Sequence, residues 1–463
     1  MTANSLAKGC NRRVTKLSSL AAIFAAVLFC YWSAANNRSG AGSSGQVAHP
    51  GIAQARLATF EDGQRNWPWL LPSHDLPDRK VIQNLSDFER LKLVNRELVL
   101  PPESRPWSSS GFPAMLGGVA GRWQDSAPTL VWRSLTGFDS PDRDSIRSQL
   151  AAANWGKAAQ RYIERLSPTE KLDLAIGDYD FTGTNAASLA MGHNRPSLFR
   201  EAGFWWGYCD GAAVAATLLR EPAHEVTVLN PNEYPIRFFP EDIKALLAME
   251  HVARHTQRWA LGSRCDDSQD GRRTCQGINA ATLFIALANR IGSARKSFVI
   301  DFDPGVAVLN MAVRSTRLSL LEPPIASNDS RFANLVRVRI EIDAASTLSS
   351  SEWMVRQFFV PGYAESPEPG VVRFSYEAVL GLDHDLKIIG GGWYGNTDKG
   401  PDVVWGHESE KETTLDSPAL QESYLHYPES LVDSLYALSI KPPSLVPQRL
   451  VAHTSSAENA KGR

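Results

Sequence analysis

The chain has 463 residues, 43% of them hydrophobic and 21% charged, with a formal net charge of -2. That much apolar material can bury a sizeable core over two or three domains and excludes a disordered chain. Near-neutrality, with no Lys/Arg run in the body, gives no electrostatic pull toward nucleic acid or anionic lipid, so no nucleic-acid partner is expected.

In chain order, Lys8, Arg12, Arg13 and Lys16 precede an uncharged apolar stretch from Leu17 to Ala35, with Tyr31 and Trp32 near its far end. A basic flank before such a stretch is an export signal. Its length of about 19 residues fits either a cleaved signal peptide, with Ser33-Ala34-Ala35 as the cleavage site, or a short signal anchor. Residues 1–38 are therefore read as signal peptide or anchor, and the body is expected outside the cytoplasm: secreted, periplasmic or held at the membrane through the uncut segment.

Residues 39–165 read as a linker and N-terminal extension: Ser39 to Gln46 is Gly/Ser-rich, and Pro and Trp are frequent beyond it, with a short helical patch from Leu85 to Leu98. Ser167-Pro168-Thr169-Glu170 is a capping box with Pro at the first helical position, and it marks the start of a main domain over 166–406. Helices and strands mix there without regular βαβ alternation, which predicts an α+β fold. A small-residue helix follows Cys209 from Ala212 to Leu219. Phe239-Pro240-Glu241-Asp242 opens a second helix, with Ile243, Leu246 and Leu247 on one face. A third has Asn279 as its N-cap, Gly292 just past its end, and Leu283, Phe284, Leu287 and Ile291 on its apolar face. Ser297 to Asp301 is extended, a turn follows at Pro304-Gly305, and Val306 to Val313 alternates as a second strand. Residues 407–463 read as a polar tail.

Five cysteines occur, two of them (Cys10 and Cys30) in the leader. In an oxidising compartment the remaining three imply one pair and one thiol. Cys265 and Cys275 bracket a polar loop that can close as a disulfide contributing about 2–3 kcal/mol. Cys209 is left over. A lone cysteine is more often an inert core residue. Here Cys209 opens a helix, where free backbone N–H groups and the helix dipole favour a thiolate. Gly207 and Gly211 permit close backbone approach, and Phe204, Trp205, Trp206 and Tyr208 supply either core or the walls of a dry cleft. His251 and His255 are four apart on a helix, but without a third ligand they do not define a metal site, and neither metal nor cofactor is expected. Asp178 and Asp180 fit a surface turn.

Several segments resemble the transglutaminase elicitor family in matching order: Leu166 to Lys171 with Gly177-Asp178; Trp206-Gly207-Tyr208-Cys209-Asp210-Gly211; Phe238 to Leu246; Asn289-Arg290-Ile291-Gly292 with Ser297 to Asp301; Gly390 to Tyr394; and Pro401 to Trp405. The resemblance implies a papain-like or transglutaminase-like core that joins a protein glutamine (acyl donor) to an amine acceptor through a thioester. Cys209 would be the nucleophile and Asp301 the triad aspartate. The family's histidine aligns with Phe284, which cannot take a proton, so His224, His384 and His407 are the substitute bases to test. A fold that has lost catalysis and binds a partner, or a papain-like peptidase using water as acceptor, are the competing readings. The family's exposed segment recognised by plant defences is reduced here to Leu309-Asn310-Met311-Ala312-Val313-Arg314, so elicitor activity is not expected.

Overall fold

The computed structural model describes chiefly residues 57–60, 80–112, 118–122, 163–190, 207–253, 258–263, 277–304, 308–348, 362–394, 400–407 and 429–442, with isolated residues and short stretches elsewhere. The chain divides into two compact units, Met1–Ala53 and Gln54–Arg463, and the described elements all belong to the second. The leader, the Ser39 to Gln46 linker and the Cys265/Cys275 pair lie outside the described residues. No helix among the described residues is long and apolar enough to cross a membrane.

The elements, in order, are β1 (Ala58–Thr59), α1 (Leu85–Arg90), β2 (Glu97–Val99), α2 (Pro168–Ile176), α3 (Thr182–Ala190), α4 (Cys209–Leu218), β3 (Val226–Leu229), β4 (Pro235–Phe238), α5 (Pro240–Ala253), β5 (Arg258–Gly262) and α6 (Ala280–Leu287). Then come β6 (Val299–Asp301), β7 (Asn310–Leu320), β8 (Ile325–Ala326), β9 (Asn334–Ala345), β10 (Tyr363–Glu365), β11 (Val371–Leu382), β12 (Ile388–Trp393), β13 (Val403–His407), α7 (Glu429–Ser439) and β14 (Gln448–Arg449).

Local sequence accounts for the helix boundaries. The Ser167 hydroxyl accepts from the Glu170 N–H and the Glu170 carboxylate accepts from the Ser167 N–H, closing the capping box, while Gly177 ends α2 in the left-handed conformation at φ 83°. Asn279 caps α6 by accepting from the Ala281 N–H. Gly292 does not terminate that helix. The chain widens into a π-helical stretch over Ala288–Ala294, and Arg295, at φ 54°, makes the left-handed exit instead.

Among the described residues, eleven strands form an antiparallel sheet with the order β1-β12-β11-β9-β7-β6-β13-β5, to which β2, β8 and β10 add at β7, β9 and β11. Period-two alternation then sorts side chains onto two faces. Phe298, Ile300, Phe302, Met311, Val313 and Val404 join the core that contains the apolar residues of α6. Their strand neighbours point the other way: Val299 and Trp405 cluster with Ala213 and Val214 of α4, and Ala312 belongs to the core of α2, α4, α5 and α7. The sheet therefore stands between α6 and α4.

Helices and antiparallel strands segregate as an α+β reading expects, but both proposed domain edges need correction. The segment read as an N-terminal extension is part of the core. Its helix stops at Arg90, Phe88 meets Phe284 edge-on at a centroid distance of 5.7 Å, and β2 pairs with β7. The segment read as a polar tail includes α7, whose Leu431, Val432 and Leu435 are buried beside α5, and β14, which pairs with β3. In both cases short apolar stretches among polar residues find a distant apolar partner, which composition does not reveal.

Candidate active site

Cys209 is the first residue of α4, and its N-cap, Tyr208, contributes no side-chain cap bond. The first-turn N–H groups and the dipole thus favour negative charge at the sulfur. Cys209 is a half-buried thiol outside any disulfide. The Tyr208 N–H donates to the Gly111 carbonyl at 2.8 Å. Gly111 lies so close that a β-carbon there would stand 3.3 Å from the Cys209 Cβ and 2.6 Å from the Thr347 carbonyl oxygen. Across from it, the Cys209 Sγ lies 4.0 Å from the Val308 carbonyl oxygen. Tyr208 is no proton acceptor: burial first, and the nearby Asp210 charge second, hold its phenol well above the ordinary value.

Asp301 ends β6 fully buried, on the same face as Val299 and therefore on the α4 side of the sheet. Its Oδ1 accepts from the Leu309 N–H at 2.8 Å and from the Asp303 N–H at 3.4 Å, tying the carboxylate to the segment that carries Val308. Directly opposite Asp301 in the ladder stands Asn310, also fully buried. Its Oδ1 accepts from the Trp405 indole N–H at 3.0 Å, and its carbonyl accepts from the Thr347 hydroxyl at 2.8 Å. One end of the β6–β7 pair thus gathers Cys209, Asp301, Asn310, Thr347 and Gly111, with Trp405 behind Asn310.

The structure does not bring Phe284 to this place. It lies fully buried in α6, against Phe88, on the opposite face of the sheet from α4. The three substitute bases are also placed elsewhere. The His224 N–H bonds the Ser439 carbonyl beyond the α4 C-cap at Leu219, at the other end of a helix roughly 15 Å long. His384 is exposed in the turn after Leu382, at the far end of β11 from Val371, roughly 35 Å along the strand. His407 faces the α4 side, its ring 5.9 Å from that of Trp405, but stands four residues along β13 from Val403, the partner of Asp301, roughly 13 Å away along the strand. His251 lies on α5 near Ala248 and Val252, which pack against Gly211. Gly211 is about 200° around α4 from Cys209, so α5 flanks the other side of the helix. His193 and His255 lie outside the described residues. Among the described residues no group of three His, Cys, Asp or Glu side chains is arranged to hold a metal.

A family model described as "Transglutaminase elicitor" matches residues 86–424. The chain belongs to the transglutaminase elicitor family. No curated protein matches it. Among solved structures, the GP42 transglutaminase from Phytophthora sojae is similar over 83% of this chain and 99% of that one, with a TM-score of 0.52 and 18% identity, a likeness of fold.

This member of the transglutaminase elicitor family buries most of the Leu309 to Arg314 segment. Leu309 to Val313 lead into and begin β7, and all five are buried. Sequence reasoning passed over Asn310 and Trp405 as site residues although both lie in segments it had matched. Their signal is a polar side chain in an otherwise apolar strand start and an indole with a buried N–H to satisfy. Gly111 and Thr347 carry no such local signal, because their contacts with Cys209 arise only from the chain's folding.

Proposed function

We propose that the protein is an acyltransferase acting outside the cytoplasm, which uses Cys209 to take an acyl group from a protein glutamine and pass it to an amine. The observation that carries this reading is the half-buried thiol at the start of α4, 4.0 Å from the carbonyl of Val308, whose neighbour Leu309 donates its N–H to the buried Asp301. The sulfur attacks the glutamine carboxamide carbon, the C–S bond forms and the carbonyl π pair moves to oxygen. When that pair returns, the C–N bond breaks and ammonia departs with the proton given up by the thiol. A lysine amine then attacks the thioester, the new C–N bond forms, and the thiolate leaves and regains a proton from the amine. Asp301, held by the Leu309 N–H, is assigned the orienting role, and the proton acceptor is a group other than residue 284. This chemistry calls for no cofactor. The basic residues from Lys8 to Lys16 and the apolar stretch from Leu17 to Ala35 support the extracytoplasmic location.

A second reading is a binding module that has lost turnover. Incorporation of a labelled primary amine into a glutamine-rich protein separates the two. The acyltransferase incorporates label and its Cys209→Ser variant does not, whereas a binding module incorporates none in either form. Hydrolysis of a general protein substrate in place of amine incorporation would indicate a peptidase.

A further inference from the structure

The start of α4 has no side-chain cap, yet it is held from outside the helix. A non-helical strap from Trp107 to Gly111 is bonded to both ends of α4. The Trp107 indole N–H donates to the carbonyl of the C-cap Leu219 at 3.0 Å, and the Gly111 carbonyl accepts from the N–H of the N-cap Tyr208 at 2.8 Å. With ten residues α4 is roughly 15 Å long, so the strap touches it end to end. Between those two points the strap is tied elsewhere. The Ser108 hydroxyl donates to the Gly370 carbonyl at 2.7 Å and the Ser109 N–H to the Ser346 carbonyl at 3.0 Å, at the sheet end where β9 stops and β11 begins. From α5, Lys244 Nζ donates to the Ser108 carbonyl at 3.0 Å.

At Gly111 the strap is wedged between the helix and the sheet. A β-carbon there would stand 2.6 Å from the Thr347 carbonyl oxygen, which is main chain and cannot swing aside, and 3.3 Å from the Cys209 Cβ. Thr347 in turn donates its hydroxyl to the Asn310 carbonyl, and Asn310 is the ladder partner of Asp301. Gly111 is thus the spacer between the first residue of α4 and the strand end that carries the carboxylate. The chain turns sharply straight after it. Phe112 is buried and left-handed at φ 46°, a conformation that a bulky residue keeps only where the surrounding packing enforces it.

We propose that the Trp107–Gly111 strap is a positioning element for the thiol. It holds the first turn of α4, and with it Cys209, at the distance from the Asp301 end of the sheet that attack on an acyl donor requires, and Gly111 is the positioning residue that makes the contact. Displacement of a reacting group by about 1 Å can slow a reaction about 10²-fold, so a wedge of this kind acts on turnover more than on substrate binding. The inference rests on the acyltransferase reading given above, and it makes part of the segment read as an N-terminal extension necessary for turnover.

The test uses the full chain, a glutamine peptide and a dansylated primary amine, with kcat and KM measured beside the urea midpoint and the amide exchange of Tyr208 to Ala212. Gly111→Ala forces a methyl into the wedge. It is expected to lower kcat by about 10- to 10²-fold under conditions where the variant is folded, to leave KM unchanged, and to speed exchange in the first turn of α4. Ser108→Ala releases the strap from Gly370; it is expected to act in the same sense by a smaller factor, and it carries the test where Gly111→Ala does not fold. A strap that serves only the fold would lower the urea midpoint and leave the kcat of folded protein intact, which would overturn the proposal. A wild type that incorporates no amine would reject the acyltransferase reading, and exchange then decides on the strap. Faster exchange confined to the first turn of α4 sustains it, whereas unchanged or uniformly faster exchange overturns it.

Discussion

Phe284 shows how a single position can mislead when judged by alignment alone. The family resemblance, read from the sequence, sets it at the place of the histidine. In the fold it is fully buried, edge-on to Phe88, with the sheet between it and Cys209. Installing the histidine therefore does not install a base. Phe284→His is expected to leave amine incorporation where it stands and to destabilise the fold by on the order of 3 kcal/mol, since it removes apolar contacts and buries an imidazole without a partner. A urea titration together with the activity assay reads both effects; a gain in activity would show that residue 284 reaches the sulfur. Asp301 is the converse case. Its carboxylate is buried and bonded to backbone N–H groups beside the Val308 segment, so its placement follows from local chain geometry. The strand ending that the sequence shows at Asp301 is enough to position it.

At the scale of elements, local rules were legible. The Ser167 to Glu170 box, the Asn279 cap, the start of α5 at Pro240 and the β6–β7 hairpin all follow from residues within a few positions of one another. Gly292 was not legible as interior, because nothing in the sequence around it announces a π-helical turn. Nor was the role of Asp173, which depends on α3. Asp173 is buried in α2, and its Oδ2 accepts from the Thr184 N–H at 2.8 Å and from the Thr184 hydroxyl at 2.5 Å, capping the first turn of α3. Burial pushes its carboxyl up to about 7, while the bonds from Thr184 pull against that rise and the Asp178 charge adds to it. The folded state thus holds a proton that the unfolded chain releases near pH 4. The stabilisation is fully present below that pH and is lost as pH rises through about 7. Asp173→Asn should remove this contribution, so wild type should lose stability relative to the variant between pH 4 and 7. Parallel denaturation midpoints over that interval would show that the fold does not raise the Asp173 carboxyl above its unfolded value.

At the scale of the molecule, the sheet decides which of the expected residues can act together. Hydrophobic alternation along β6, β7 and β13 sends Asp301, Asn310 and Trp405 toward α4 and their neighbours toward α6. The same sorting separates Phe284 from the thiol. The sequence disclosed the order of segments and the family they resemble, but not the pairings among distant segments. The pairing of β2 with β7 and the seating of α7 beside α5 depend on such contacts, and so does the approach of Gly111 to Cys209. These contacts leave one face of the β6–β7 end with a thiol, a carboxylate and an amide, and on that arrangement the functional reading depends. Its most direct test is mass spectrometry of the full chain incubated with a glutamine-containing peptide in the absence of an amine. The expected result is a covalent adduct equal to the peptide less ammonia, mapped to Cys209, absent from Cys209→Ser and released by an added primary amine. No adduct, or one that maps to another residue, would contradict the acyltransferase.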